Sequence, residues 1–368
     1  MRKILITGGH LTPALAEMSE LKKREWQIYY IGRKNALEGD AAISQEYRII
    51  TSLGYPFQVI TAGRWHRDFN PLKSLFSLFK IPLGFWQAFV YIKKLNPQAI
   101  LSFGGYVALP VAISGWLWGI PVVTHEQTFV PGLANRIIGF FCRKICVSWA
   151  KTQKYFPQTK TVLTGIPLRP ELFQASHKLP ITHDKPVIYI TGGNLGAHSL
   201  NLVVAEALPQ LLEHYTVIHQ CGNAQKYRDF EYLVEKQKTL VQPLRERYFV
   251  YEYIDSAKIG WVFKHADLIV SRAGANVICE IITLGKLAIL VPLPWSGGGE
   301  QEQNAKYLTE ANAARMLLQP QLTVTRLLTE IIDTLAHKEE IYENLQSLRK
   351  AIVPDAAAKI ADVIESVM

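Results

Sequence analysis

A histidine follows the first strand-like run of the sequence, at a place where a proton acceptor could act. In KILITGGHLTPALAE, Gly8 and Gly9 separate the apolar residues 4–6 from His10, and a helical pattern begins after it. A histidine titrates near neutral pH, so it can take a proton from a hydroxyl group during nucleophilic attack. A helix-capping or polar core histidine is the alternative, and this segment alone does not exclude it.

A second group of polar side chains follows the apolar run IPVVT. His125, Glu126 and Asn135 belong to the segment HEQTFVPGLANR, and Tyr106 follows two glycines after the preceding run, AILSF. We expect these side chains to meet, because the carboxyl ends of parallel strands lie at one edge of a sheet. A capping and turn network for the following helix is the alternative.

Two motifs of the second half suit a diphosphate and a ribose. TGGNLGAHSLN places Gly193 and Asn194 before a helical pattern, where backbone N–H groups can approach an anion. In SRAGANVICE, Arg272 and Gly274 precede Glu280, whose carboxylate can accept hydrogen bonds from a vicinal diol. A tight strand-to-helix turn without a ligand, and a solvated glutamate near a helix start, are the alternatives.

The elements that must position these groups form two series of strands and helices. Strand-like runs alternate with helical patterns from KILI to KTVLT in the first half and from PVIYIT to LAILVP in the second. The polar, proline-bearing residues 165–186 separate the two series. The fold class is therefore α/β, and we expect two Rossmann-like, doubly wound domains facing each other across a cleft.

The composition narrows the class of protein. The 368 residues are 49% apolar and 19% charged, which excludes a disordered or fibrous chain. The formal net charge of +9 favours contact with anionic groups such as phosphates or acidic lipid headgroups. Four cysteines without CxxC spacing favour a reducing compartment, and the first residues lack the apolar core of a signal peptide.

Two apolar stretches bear on a membrane. Residues 97–124 carry no charge, but their glycines and prolines indicate strands and a short helix in a buried core instead of a membrane span. Residues 71–94, PLKSLFSLFKIPLGFWQAFVYIKK, place Phe79, Phe85 and Trp86 among lysines. This pattern is typical of a surface in the headgroup layer of an anionic membrane, and an ordinary core helix with a solvated lysine face is the alternative.

Taken together, the motifs of both halves match a known family. The motifs LSFGGYVALP, GIPVVTHEQTFVPGLANR, LTGIPLRPEL, ITGGNLGAHSLN, IHQCG, ADLIVSRAGANVICEI, AILVPLPW and EQNA, in this order, resemble the MurG family of glycosyltransferase family 28. The resemblance covers nearly the whole chain. It implies the GT-B fold and inverting transfer of GlcNAc from UDP-GlcNAc to lipid I, undecaprenyl-diphosphate-MurNAc-pentapeptide, giving lipid II for peptidoglycan synthesis.

The resemblance also implies a division of labour between domains. Residues 1–164 would bind the acceptor and the membrane, residues 165–349 would bind UDP-GlcNAc, and a C-terminal helix at about 350–368 would pack back on the first domain. His10 corresponds to the general base, with His125 and Glu126 as the other candidate catalytic groups. The implied acceptor-binding residues are Thr7, Gly8, Gly9, Tyr106 and Asn135. The implied donor-binding residues are Arg169, Gly193, Asn194, Ile254 through its backbone, Arg272, Gly274, Ala275, Glu280, Gln301 and Asn304.

The sequence departs from the family pattern near these residues. The first glycine loop is about four residues shorter than the family's usual GGGTGGH, which puts the position of His10 in question. Thr128 stands for the usual Asn, Asn194 and Leu195 stand for the usual Ser and Gln, and Val277 replaces an expected hydroxyl residue.

Cofactors, partners and competing functions follow from the same resemblance. The sequence has no D-x-D pair to hold Mg²⁺ on the diphosphate, so we expect neither an essential metal nor a cofactor. The implied location is peripheral, on the cytoplasmic face of the cell membrane, with other wall-synthesis and division proteins as further partners and no nucleic acid. A GT-B transferase that makes another glycolipid or lipid-linked saccharide, and a non-catalytic partner of wall synthesis, are the alternatives.

Overall fold

The chain folds into two compact units. The computed structural model describes residues 2–35, 43–61, 71–175, 177–181, 184–193, 195–224 and 226–368, with the backbone alone for residues 71–80. The first unit is Met1–Leu168 with Val353–Met368, and the second is Arg169–Ile352. Each unit contains one sheet of parallel strands joined by helices, as the alternation of apolar runs predicts.

The first unit contains a seven-stranded sheet in the order β3-β2-β1-β4-β5-β6-β7. Its strands are β1 Lys3–Thr7, β2 Gln27–Gly32, β3 Phe57–Val59, β4 Ala99–Ser102, β5 Val122–Glu126, β6 Lys144–Val147 and β7 Thr161–Leu163. Its helices are α1 Leu11–Lys23, α2 Gln45–Ser52, α3 Pro71–Leu95, α4 Ala108–Leu117, α5 Leu133–Phe141 and, at the end of the chain, α14 Ala356–Glu365.

The second unit contains a six-stranded sheet in the order β10-β9-β8-β11-β12-β13. Its strands are β8 Val187–Thr191, β9 Thr216–Gln220, β10 Tyr248–Tyr251, β11 Leu268–Ser271, β12 Leu287–Leu290 and β13 Arg315–Met316. Its helices are α6 His198–His214, α7 Asp229–Thr239, α8 Gln242–Arg245, α9 Ser256–His265, α10 Ala275–Leu284, α11 Glu300–Thr309, α12 Val324–Ala336 and α13 Lys338–Arg349.

Alternation along the strands builds a core on each face of the first sheet. Ile4 and Ile6 of β1 enter one apolar cluster with α1 and α14, while Leu5 enters the other with α3, α4 and α5. The register pairs Thr7 of β1 with Ser102 of β4, so the segments that follow these two strands start side by side. In both sheets the strand order reverses next to the first strand, which is where doubly wound proteins place their ligands.

The structure differs from the sequence prediction in three details. β3 and β13 have three and two residues, too short to produce an apolar run, and the sequence did not indicate them. The first unit also extends to Leu168, past the expected limit at 164. Gly165 belongs to this unit, because its carbonyl oxygen accepts a hydrogen bond from His125 Nε2 (2.8 Å) and a Cβ at this position would lie 3.0 Å from the Val353 Cβ.

The uncharged residues 97–124 form β4, a glycine turn, α4 and β5, as predicted. Within the described ranges, no helix combines the length and apolar character needed to cross a bilayer. The four cysteines Cys142, Cys146, Cys221 and Cys279 are free and buried.

Helix α14 returns the end of the chain to the first unit. Ile360, Ala361 and Ile364 lie in the same apolar cluster as Ile4 and Ile6. Arg24, after α1, bonds Asp362 at 2.7 Å and Glu365 at 3.1 Å. These ion pairs fix the register of α14 on α1 over an apolar contact that supplies most of the stabilisation.

Glu17 is a buried carboxyl on the α1 side of this contact. It is fully buried, and neither oxygen has a hydrogen-bond partner among the described residues. Burial raises the pKa of Glu17 well above its usual value. The nearby Glu20 and Asp362 charges raise it further, whereas the Arg24 charge lowers it. Burial therefore favours the neutral acid of Glu17 over its carboxylate in the folded protein.

We expect Glu17→Leu to stabilise the protein, most at alkaline pH. The folded protein must keep Glu17 protonated while the unfolded chain ionises it near pH 4.5, so the parent loses stability as pH rises above that value, at up to about 1.4 kcal/mol per pH unit. Urea unfolding at pH 5 and pH 8 measures the difference. Glu17→Gln, which cannot ionise, is the control and should flatten the pH dependence in the same way. Equal pH dependence in the parent and both variants would contradict this account.

Candidate functional site

His10 lies at the carboxyl end of β1, in the position predicted from the sequence. It is the residue before α1, yet its side chain makes no hydrogen bond to the helix. The structure therefore excludes the alternative that the His10 side chain caps α1. The side chain is exposed, but enough protein surrounds it that desolvation lowers the pKa of His10 from 6.5, while the Glu126 charge opposes the shift. His10 is thus near Glu126 and neutral at pH 7.

Glu126 ends β5 with both carboxylate oxygens occupied. Oε1 accepts hydrogen bonds from the amide and the hydroxyl of Thr128 (2.9 and 2.7 Å), and Oε2 accepts one from Asn135 Nδ2 (2.9 Å). Glu126 is only 4% exposed. The Glu126 carboxylate favours the protonated form of His10, so it is suited to stabilise a positive charge there.

His125 is buried on the same strand and is held in one tautomer. Its Nε2 donates to the Gly165 carbonyl (2.8 Å), which leaves Nδ1 unprotonated and without a partner among the described residues. Burial lowers the pKa of His125 to about 4. The hydrogen bond to Gly165 opposes this shift, and the interaction with His10 lowers the pKa further. His125 is therefore a neutral, enclosed imidazole at physiological pH.

Asn135 connects the polar groups of β4 and β5. It is buried at the start of α5, donates to Glu126, and accepts from the Thr124 hydroxyl (3.2 Å). A Cβ on Gly104, whose φ is +75°, would lie 2.6 Å from this amide, so only glycine fits there. The capping network offered as an alternative for this segment is thus present, but it is built around Glu126.

Tyr106 lies beyond the glycines that follow β4, and a residue that the sequence analysis overlooked contacts it. Arg33, after β2, donates from Nη1 to the Tyr106 hydroxyl. The remaining acceptor-side predictions lie near β1: Gly8 and Thr7 are buried, Gly9 is exposed, and the Gly9 amide donates to the Gly104 carbonyl (3.2 Å).

In the second unit, Arg169 and Glu280 form a buried ion pair. Arg169 Nη2 lies 3.2 Å from Glu280 Oε1, and the two side chains are 17% and 6% exposed. Burial raises the pKa of Glu280, and the Arg169 charge opposes that shift. A cation and a carboxylate at this separation match the neighbouring diphosphate and ribose of a nucleotide.

Gln220 joins the glycine loop after β8 to the segment that contains Ile254. Its Oε1 accepts from the Ile254 amide (3.1 Å), and its Nε2 donates to the Gly193 carbonyl (3.4 Å). The motif IHQCG at the end of β9 was the signal for Gln220, but the sequence alone gave it no role. The Gly193 amide donates to the Thr191 hydroxyl (3.1 Å), and Asn194 lies outside the described residues.

The guanidinium of Arg272 donates hydrogen bonds to other groups of the second unit. Nη1 donates to the Val291 carbonyl (3.1 Å), and Nη2 donates to Ser199 and Gln319 (3.2 and 2.8 Å). These bonds tie the end of β11 to β12 and α6. Its guanidinium therefore acts as a structural tie within the loops around the predicted donor site.

The other predicted donor residues surround the start of α10. Gly274 is the residue before the helix and Ala275 its first residue, and Asn304 Nδ2 donates to the Ala273 carbonyl (2.9 Å). Gln301 Oε1 accepts from the Leu293 amide (2.9 Å). Asn304 and Gln301 thus brace the loops after β11 and β12.

Within the described part of the chain, no group of three or more His, Cys, Asp or Glu side chains is placed to hold a metal ion.

An apolar face of the first unit includes one of the predicted membrane residues. Leu83, Trp86 and Val90 are exposed at helical spacing on α3, with Trp86 63% exposed, while Phe85 is half-buried. The Phe79 side chain is not among those described. Trp116 at the end of α4 is 52% exposed. We call Leu83, Trp86, Val90, Trp116 and Leu117 the apolar face.

Comparisons with known proteins agree with this arrangement. Residues 7–147 match the glycosyltransferase family 28 N-terminal domain, and residues 187–360 match the glycosyltransferase family 28 C-terminal domain. The structure is similar to the crystal structure of Acinetobacter baumannii MurG, with a TM-score of 0.71 and 28% identity over 100% of both chains. The two-domain GT-B fold expected from the sequence is therefore confirmed.

The names of two relatives state an activity. A UDP-N-acetylglucosamine–N-acetylmuramyl-(pentapeptide) pyrophosphoryl-undecaprenol N-acetylglucosamine transferase from Bacillus cereus is 35% identical over 362 residues, covering 96% of this chain and 95% of that protein. One from Clostridium kluyveri is 34% identical over 377 residues, covering 99% of each. The resemblance found in the sequence motifs is thus confirmed. This chain belongs to glycosyltransferase family 28, in the group of UDP-N-acetylglucosamine–N-acetylmuramyl-(pentapeptide) pyrophosphoryl-undecaprenol N-acetylglucosamine transferases.

Proposed function

We propose that this chain transfers GlcNAc from UDP-GlcNAc to undecaprenyl-diphosphate-linked MurNAc-pentapeptide, with inversion at the transferred sugar. The relatives described above are named for this transfer. The observation that carries the proposal is His10 near the Glu126 carboxylate, because it supplies a proton acceptor in the unit matched as the N-terminal domain.

His10 acts as the general base in this proposal. Its neutral imidazole takes the proton of the attacking acceptor hydroxyl as the bond to the anomeric carbon forms and the bond to UDP breaks. Glu126, held by Thr128 and Asn135, stabilises the imidazolium that results. His125 is a poorer candidate, because it is enclosed and its Nε2 proton is committed to Gly165.

The donor is held in the second unit. We propose that Glu280 accepts hydrogen bonds from the ribose and that Arg169 lies against the diphosphate, as their 3.2 Å separation allows. Arg169 and the amides of the loop after β8 then neutralise the leaving UDP, and no metal ion is needed for that step. Gln220 would have to release the Ile254 amide before that amide could bind uracil.

We expect His10→Ala to lower kcat about 10²- to 10⁴-fold while the KM for UDP-GlcNAc changes little, because the donor binds in the other unit. In the parent, kcat should fall as pH drops through a pKa below 6.5, since only neutral His10 accepts the proton. The variant should lack this acid limb. Transfer from UDP-GlcNAc to a lipid I analogue between pH 5 and 9 provides the measurement.

His125→Asn is the matched control for this experiment, because it alters an enclosed histidine of the same site. If His10→Ala keeps parental kcat and the acid limb while His125→Asn loses both, His125 is the base and this assignment is wrong. A parent that hydrolyses UDP-GlcNAc but never glycosylates the lipid would favour another acceptor.

We expect Glu280→Gln to raise the KM for UDP-GlcNAc at least tenfold with a modest change in kcat. Losing a charge-assisted hydrogen bond costs about 1.5–3 kcal/mol, and the amide keeps the shape of the carboxylate. Donor titration in transfer assays gives the KM, and thermal unfolding shows whether the loss of the Arg169 pair has destabilised the unit. An unchanged KM in a stable variant would contradict the ribose assignment.

We further propose that the apolar face docks this chain on the cytoplasmic face of an anionic membrane, where its acceptor lipid resides. The exposed aromatic residues Trp86 and Trp116 suit the headgroup layer. Lys93 lies 4.9 Å from the Trp118 ring beside this face and supplies positive charge.

We expect Trp86→Ser with Trp116→Ser to reduce binding to phosphatidylglycerol vesicles at least tenfold. Raised salt should weaken parental binding because each lysine contributes only about 1 kcal/mol through a screened field. Ile332→Ser, which removes a 61% exposed apolar side chain from the second unit, is the control and should bind like the parent. Vesicle sedimentation measures all three, and equal pelleting would exclude the apolar face as the docking surface.

A further inference from the structure

Tyr30 connects the second strand of the first sheet to the loop that carries His10. It is fully buried on β2, and its hydroxyl donates to the carbonyl oxygen of Gly8 at 2.9 Å. The parallel register pairs Tyr30 with Ile6, two residues before Gly8, so the hydroxyl reaches the loop just past the end of β1. Gly8 in turn is two residues before His10.

Among the described residues, the other contacts of this loop are with the segment that follows β4. The Gly9 amide donates to the Gly104 carbonyl at 3.2 Å, and Gly8 adopts φ +133° with Phe103 so close that a Cβ would lie 2.8 Å from its carbonyl carbon. His10 makes no side-chain capping bond to α1. The loop is also shorter than the family pattern, so the position of His10 depends on these few anchors.

Glu46, in the first turn of α2, lies on the same face of β2 as Tyr30. A Cβ on Gly32, two residues after Tyr30 on that strand, would lie 2.5 Å from Glu46 Oε1. Glu46 is 9% exposed, and its Oε1 has no hydrogen-bond partner among the described residues. Burial raises the pKa of Glu46 to about 7, while Tyr30 and the Arg33 charge oppose the shift. Glu46 therefore changes its charge within the physiological pH range.

The Tyr30 hydroxyl has one proton to donate, so its two neighbours compete for it. When Glu46 is neutral, its own O–H can donate to the Tyr30 oxygen, and Tyr30 donates to Gly8. When Glu46 is ionised, its carboxylate is a stronger acceptor than the Gly8 carbonyl. The tyrosine proton then turns to Glu46, and Gly8 loses its donor.

We propose that Tyr30 is a positioning residue that holds Gly8, and thereby His10, and that the charge on Glu46 decides whether it does so. The proposal rests on the proposed function of His10 as general base. Among the described residues, the titratable or charged groups that face Glu46 are Tyr30 and Arg33, and those that face His10 are Glu126 and His125.

Tyr30→Phe tests the anchor, because it removes the hydroxyl and keeps the ring that stacks on Phe57 (5.3 Å between centroids). We expect kcat for GlcNAc transfer to fall about tenfold, with the KM for UDP-GlcNAc unchanged within about twofold. Tyr47→Phe is the matched control, since its ring also packs on Phe57, and it should behave like the parent. Parental kcat in Tyr30→Phe would overturn the proposal.

The pH profile tests the part played by Glu46. In the parent, kcat should fall as pH rises through about 7, because ionised Glu46 takes the Tyr30 proton from Gly8. Glu46→Gln cannot ionise and should keep the parental kcat of pH 6 at pH 8. Tyr30→Phe should lack the alkaline limb as well. If Tyr30→Phe lowers kcat equally at every pH and leaves that limb in place, its role is only structural and Glu46 is not the control.

Hydrogen–deuterium exchange at residues 8–11 separates this proposal from the proposed function, because it needs no turnover. After correction for intrinsic exchange rates, Tyr30→Phe should exchange faster than the parent, and the parent should exchange faster at pH 8 than at pH 6, unlike Glu46→Gln. If these shifts occur in a parent that transfers no GlcNAc, the anchor stands and the proposed function fails. If transfer is normal and exchange is identical in all variants, the anchor fails and the proposed function stands.

Discussion

The polar cluster at the carboxyl ends of β1, β4 and β5 depends on one buried carboxylate, Glu126. An isolated carboxylate would be costly at this depth, but the amide and hydroxyl of Thr128 and the amide of Asn135 replace the water it loses. Once these bonds hold Glu126, its charge partly offsets the desolvation of His10. The close approach of Gly104 to Asn135 and the bond of Thr124 to the same amide follow from the need to keep those donors in place.

The second unit also contains a buried carboxylate, but a charged side chain is its partner there. Glu280 is as enclosed as Glu126, but Arg169 compensates its charge instead of neutral donors. A carboxylate held by neutral donors keeps its full charge for a neighbouring cation, whereas a carboxylate paired with arginine presents both signs to a ligand. The first arrangement suits proton transfer, and the second suits a nucleotide that carries hydroxyl groups beside a diphosphate.

Much of the fold and part of the site could be predicted from the sequence. Apolar runs such as KILI and LAILVP are long enough to mark buried parallel strands, and the glycines after them indicated which loops carry polar groups. The sequence could not show that the Arg272 guanidinium donates hydrogen bonds to carbonyl groups of its own unit, because those partners are distant in the chain. Gln220, Arg33 and Tyr30 were missed for a related reason. Each stands in or directly after a strand-like run, and its role appears only when the sheet brings a loop that follows another strand to it.

The return of α14 to the first unit sets the order in which the units can be completed during synthesis. Ile360 and Ile364 belong to the core around β1, although the ribosome adds them after all of residues 169–352. The second unit is continuous in sequence and has every residue it needs before those two emerge. The unit that begins first is therefore finished last, which reverses the usual order in which the N-terminal domain is completed first. Until then, the α1 side of the first sheet lacks its α14 cover, which makes the nascent chain a natural client for chaperones that bind exposed apolar surface.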